Sequence, residues 1–260
     1  MTDIAGSSDR GKRGPLHWLS LLALAANAVA LVTVAYWLFR ARAVFLAANP
    51  DWGPVTVSRA ISDPTVGPHF AFWVTLSGAL LAFGVFFNAG FYAWTARRLP
   101  APRRALLAIW LATPPAIIAL QAVSGVGMHY LSAFRFPDHH AEHMAGSYMF
   151  FVAQALVVMG GTVLSQAILR DPGSLRWLED LGVIQERLVR LRRNFGIFCI
   201  SLTVFYVFLF KAKNVDLNPL NEEIYIAYTN VELALILCFL IFLGLFQSDL
   251  LALRRAQRRS

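Results

Sequence analysis

Charge is scarce in this chain, cysteine scarcer, and no stretch is long enough to build a soluble domain. Only 15% of its 260 residues are charged, against 57% hydrophobic. Cys199 and Cys238 are its only cysteines and both fall in apolar sequence. An exported disulfide framework and a thiolate metal site are therefore not expected, and the two read as small packing residues. No G-x-S-x-G elbow, P-loop, H-E-x-x-H or dinucleotide glycine fingerprint occurs, which removes the common catalytic templates. Internal repeats, low-complexity tracts and dividing linkers are missing too. Lysine occurs only three times beside abundant arginine and alanine, a composition that points to a high-GC bacterial source.

What the chain does have is six long apolar stretches, at 16–39, 69–95, 105–127, 142–169, 194–211 and 224–251. Each is about 20 residues or more, enough to cross a ~30 Å hydrocarbon layer at ~1.5 Å per helical residue. The expected fold is an all-α integral membrane protein, a six-transmembrane-helix bundle occupying 15–252. The first stretch carries a basic lead and an Ala28-Val29-Ala30 triplet resembling a signal-peptide cleavage site. Its apolar run continues to Phe39, beyond the 7–15 residues of a signal core, so an uncleaved helix is expected.

The net charge of +8 is not spread evenly. Seventeen of the 23 basic residues lie before the first stretch, around 97–104, in 170–193, or from Arg254 onward. By the positive-inside rule both termini are cytoplasmic, as an even number of spans requires. The 1–14 tail is polar and expected to be disordered; 253–260 is a second, basic tail. These arginines are expected to meet anionic lipid headgroups at the cytoplasmic face rather than nucleic acid, for which no folded display surface exists. The natural location is the bacterial inner membrane.

Between the spans, 40–68 holds Pro50, Gly53, Pro54, Pro64, Gly67 and Pro68 and reads as an irregular, folded cap. In 170–193, Ser174 reads as an N-cap, followed by apolar residues at three- and four-residue steps. Two readings stand: an interfacial amphipathic helix, or a cytoplasmic extension of the fifth span. Gly78, Gly84, Gly90 and the Gly160-Gly161 pair suggest close helix packing, Pro114-Pro115 should kink or break the third helix, and Gln121 and Asn230 read as helix–helix hydrogen-bonding residues.

Five of the six histidines fall on the predicted outer side: His69, His129, His139, His140 and His143, with Asp63, Asp138, Glu142 and Glu232 alongside. His139 and His143 are four residues apart and share a helix face with Ser147 and Gln154. Glu232 lies about eight positions into the last span, roughly 12 Å of rise. A carboxylate there needs a partner or a proton, and His143 or Arg135 are the partners expected. His139 and His143 with a carboxylate and a third ligand such as His129 or His69 would suit a divalent metal such as zinc; hydrogen bonding between helix ends would use the same residues. The candidate lipid- or ligand-binding set is Asp63, His129, His143, Ser147 and Glu232; the candidate catalytic residues are His143, Glu232 and His139.

Ile61-Ser62-Asp63-Pro64-Thr65-Val66-Gly67-Pro68 stands before the second span, and His143-Met144-Ala145-Gly146 leads to Phe150-Phe151 in the fourth. Glu232 and Asp249 lie near the two ends of the last span. In the order and spacing of these motifs the chain resembles the DRAM/Frag/Sfk family of six-span membrane proteins, which includes damage-regulated autophagy modulators. Leu233 stands where the family typically has tryptophan. The resemblance implies membrane-lipid handling: lipid binding, remodelling, or scaffolding of a lipid-modifying membrane-protein partner. A membrane-embedded hydrolase or acyl-transfer enzyme built on the His/Glu cluster, with bound lipid or a metal, is the alternative. A transporter would need a polar path that the inner halves of the spans do not offer.

Overall fold

The structure is a computed structural model and describes residues 15–96, 104–180, 182 and 184–259; side chains are described within 18–92, 108–180, 182, 184–249 and at 251. The 1–14 tail and most of the basic 97–104 connection lie outside the described residues.

Among the described residues six helices are long: α1 (Pro15–Ala48), α3 (Gly67–Ala96), α4 (Arg104–Ala133), α5 (His140–Arg170), α7 (Glu186–Ala212) and α8 (Asn221–Arg259). Each contains a segment long and apolar enough to cross a membrane. Two short helices interrupt the series, α2 (Val57–Ala60) and α6 (Pro172–Asp180). Each long helix packs against the next in the chain, and α8 closes the ring against α1. The architecture is the six-helix membrane bundle expected.

The helices outrun the apolar stretches that announced them. The 34 residues of α1 extend about 51 Å at ~1.5 Å each, well beyond a ~30 Å hydrocarbon layer. Arg40 and Arg42 therefore lie on its last turns rather than in a loop, with Asn49 bonding back to the Phe45 carbonyl at 2.9 Å to finish the helix. Helix α7 begins at Glu186, eight residues before the apolar run, so 186–193 is an extension of the fifth span.

Part of 170–193 is a separate helix as well. Asp171 starts α6: its carboxylate accepts from the Ser174 hydroxyl at 2.6 Å and the Gly173 N–H at 3.3 Å. Ser174 is thus inside the first turn, and Asp171 is the cap. Leu175 and Leu178 pack with Ile184, Val189, Tyr92 and Trp110 in a small core at this end of the bundle. Helix α4 runs on through Pro114 and Pro115 without a break.

Close packing concentrates where α4 meets α5. A Cβ on Gly127 would sit 2.5 Å from the Phe150 nitrogen, and one on Gly146 2.5 Å from the Leu131 nitrogen. Backbone cannot yield to a methyl group, so both positions require glycine. Gly78 of α3 faces Gly125 of α4 at ordinary contact distance.

Candidate functional site

Besides mid-bundle polar residues such as Ser124 and Gln154, which bond each other at 3.0 Å, two polar clusters with charged members lie toward the two ends of the bundle. At the first, α2 lies across the α5–α8 region as part of the 49–66 segment. Thr56 caps it, accepting from the Arg59 N–H at 3.1 Å. The Arg59 guanidinium lies over the Trp52 ring at 5.1 Å and the Phe136 ring at 5.2 Å, pinning the segment to the α4–α5 connection.

Two adjacent residues of α2 reach two spanning helices. The Val57 N–H donates to Glu232 Oε2 at 2.9 Å, and the Ser58 hydroxyl meets His143 Nε2 at 2.8 Å. Glu232 is 4% exposed and His143 1%. The other imidazole nitrogen, Nδ1, lies 3.0 Å from the Phe134 carbonyl oxygen. A carbonyl only accepts, so Nδ1 carries a proton. In the neutral ring Nε2 is then the acceptor of the Ser58 O–H.

Glu232 therefore is bonded by backbone, not by His143 or Arg135 as expected. Arg135 packs against Gly67 instead. The cations facing the Glu232 carboxylate are Lys213 and Arg42. Lys213, just beyond α7, has its Nζ 4.2 Å from the Tyr228 ring centre and 4.9 Å from that of Phe210. Burial pushes its ammonium below the usual lysine range, and the Glu232 charge opposes that shift.

Below this polar end runs a cavity of about 400 Å³ between α5, α7 and α8. Phe151, Tyr206 and Tyr228 form a stacked aromatic wall, with centroids 5.1 and 5.4 Å apart and the two hydroxyls 3.3 Å apart. Ala155, Thr203 and Val207 continue the lining, and Ser58, Ser147, Lys211 and Glu232 close one end. Tyr148, Val152, Leu156 and Val207 line it yet are exposed on the bundle's flank, so the cavity opens sideways.

The remaining histidines stay apart. His139 is exposed at the start of α5, edge-on to Phe134 at 5.7 Å. His129 is exposed and bonds Thr75 Oγ1 at 3.2 Å; His69 is exposed and stacks on Trp37. Among the described residues no three His, Cys, Asp or Glu side chains come close enough to hold a metal ion. Asp63 serves its own turn, accepting from the Thr65 N–H at 2.8 Å and the Thr65 hydroxyl at 2.5 Å. Those bonds hold its carboxyl below the usual carboxylate range. Ser147 donates to the His143 carbonyl. Asn230 is exposed and bonds its own helix at Ile226, and Gln121 is buried without a side-chain hydrogen bond, so neither joins helices.

Sequence reasoning missed Ser58, one hydroxyl among several in the 49–66 segment, and of the second polar end it named only Asp249. There Arg192 of α7, counted among headgroup-facing arginines, is fully buried. It bonds Asp249 of α8 at 2.5 Å and Ser165 of α5 at 2.8 Å, with Phe246 beneath the guanidinium at 4.1 Å. The Tyr92 hydroxyl of α3 donates to the same Asp249 carboxylate.

No curated protein and no solved structure matches the chain. A profile of the Frag1/DRAM/Sfk1/Cwh43P N-terminal domain matches residues 14–253. Six spanning helices, a histidine opening α5, and an acid near each end of the last span carry the same pattern through the structure, and the chain belongs to the Frag1/DRAM/Sfk1 family of multi-pass membrane proteins.

Proposed function

We propose that the protein binds a membrane lipid, with an acyl chain in the α5–α7–α8 cavity and its polar end beside Ser58 and Glu232. The cavity carries this reading. It is mostly apolar along its length, polar at one end, and open on an exposed apolar flank of the spanning helices. Its volume falls in the ~300–1,000 Å³ range of small-ligand sites. Lys211 and Glu232 in the lining, with Lys213 and Arg42 acting electrostatically on Glu232, offer a headgroup both signs of charge. Binding of this kind serves lipid handling directly, or presents a lipid to a membrane-protein partner.

A second reading, hydrolysis or acyl transfer at the same end, is favoured by the hydrogen bond between Ser58 and His143. From the charge asymmetry, the Asp249 end faces the cytoplasm of a bacterial inner membrane, its unburied arginines against anionic headgroups. The cavity mouth then lies on the periplasmic side.

The test is native mass spectrometry of protein taken from membranes into nanodiscs. A retained lipid is expected, and Ala155→Trp, which fills the cavity, should lower its occupancy about tenfold or more. Equal occupancy in a folded Ala155→Trp protein rules the cavity out as the binding site.

A further inference from the structure

The bond between Ser58 and His143 has a chemistry that lipid binding does not need. Resting on the lipid-binding reading, the geometry points to Ser58 as a nucleophile, His143 as its general base, and a long-chain acyl ester as the substrate class.

Three observations carry it. The Ser58 hydroxyl and His143 Nε2 are 2.8 Å apart, within the ~2.6–3.2 Å that proton abstraction requires. The imidazole is oriented by a third group, since its Nδ1–H donates to the Phe134 carbonyl, leaving the Nε2 lone pair for Ser58. A carbonyl does here what a carboxylate does in other serine–histidine sites: it selects the tautomer. Finally, Ser58 lines the polar end of the cavity. An acyl chain lying along Phe151, Val152, Ala155 and Val207 brings its ester carbonyl to that end.

A structural role for Ser58 alone accounts for less. Thr56 already caps α2, Arg59 already anchors it to two rings, and Val57 already ties it to Glu232.

In the reaction, Ser58 Oγ forms a bond to the ester carbonyl carbon while its proton passes to His143 Nε2. The bond from that carbon to the alcohol oxygen breaks, and the departing alcohol takes the proton back from Nε2. Water, or the hydroxyl of a second lipid, then attacks the acyl-Ser58 carbonyl and gives its proton to Nε2. The acyl–Oγ bond breaks, and Ser58 Oγ recovers the proton. Water yields a fatty acid; a hydroxyl lipid yields a new ester. No oxidant or further reactant is needed.

The test uses the full-length protein in nanodiscs, treated with a hexadecyl fluorophosphonate and separately with p-nitrophenyl palmitate. Peptide mass spectrometry is expected to find the phosphonyl adduct on Ser58, absent from Ser58→Ala and unchanged in Ser201→Ala. His143→Gln should slow labelling and ester cleavage about 100-fold or more. An unlabelled Ser58 in wild-type protein overturns the proposal, and this result does not depend on any variant folding. Labelling as fast in His143→Gln as in wild type overturns the role of the base. Native mass spectrometry of the same wild-type sample separates the two readings: lipid retained beside an unlabelled Ser58 leaves binding standing and removes the chemistry, whereas no retained lipid removes the binding reading as well.

Discussion

Arg192 and Asp249, 57 residues apart in the chain, form a fully buried ion pair that joins α7 to α8. Ser165 and Tyr92 bring α5 and α3 to the same point. Removing one partner strands a charge, which costs about 3–5 kcal/mol at a buried pair. Arg192→Ala and Asp249→Ala should each lose about that much in a reversible denaturant titration. An Arg192→Met/Asp249→Leu double variant should recover most of it. If both single variants unfold like wild type, the pair is not holding the bundle.

Glu232 separates two effects that one substitution would merge. Glutamine keeps an oxygen for the Val57 N–H, whereas alanine leaves that buried donor unpaired at about 1–3 kcal/mol. Stability is therefore expected to order as wild type, close to Glu232→Gln, then Glu232→Ala clearly lower. A glutamine variant as unstable as the alanine one would show that charge, not the hydrogen bond, matters there.

At the α4–α5 seam, Gly127→Ala and Gly146→Ala each drive a methyl group into backbone. Overpacking of this kind costs about 1–3 kcal/mol. Gly90→Ala, whose new Cβ would meet nothing within 4 Å, is the matched control. Melting temperatures of the three variants decide the matter, with the seam substitutions expected below the control.

Asp63 gives a pH dependence with a definite sign. Its folded carboxyl lies below the ordinary value of 3.8, chiefly through the Thr65 hydroxyl. The unfolded chain then binds more protons between the folded value and 3.8, so stability drops as pH is lowered across that window. The contribution is complete above 3.8 and fades as pH drops through the folded value. Melting curves between mildly acidic pH and pH 2.5 should show wild type losing more stability than Asp63→Asn; parallel curves would contradict the turn.

Orientation can be read directly. In a background with Cys199 and Cys238 replaced, cysteine at 140 should react with a membrane-impermeant maleimide on intact cells, and cysteine at 257 only after permeabilisation. Reaction of both from one side would reverse the charge-based assignment.

The number and order of spans were plain in the sequence because lipid demands a continuous apolar surface from every crossing helix. Their ends were not. Arg40 and Arg42 look like the close of a span, yet helical hydrogen bonding continues past the hydrocarbon edge, where long basic side chains can reach water. His143 and Glu232 stood out as polar groups within apolar runs. Arg192 did not, because its partner lies 57 residues ahead and its neighbours are further arginines of the same basic run. Ser58 gave no local sign at all: its meaning depends on an imidazole 85 positions later. The histidine spacing pointed toward a metal through helix periodicity, but His139 begins α5 exposed while both ring nitrogens of His143 meet protein groups.

Helix α2 holds Glu232 with one residue and His143 with the next. It works as a crossbar over two walls of a slot. Any change in the spacing of α5 and α8 is therefore passed through α2, which couples the separation of those helices to the setting of the imidazole.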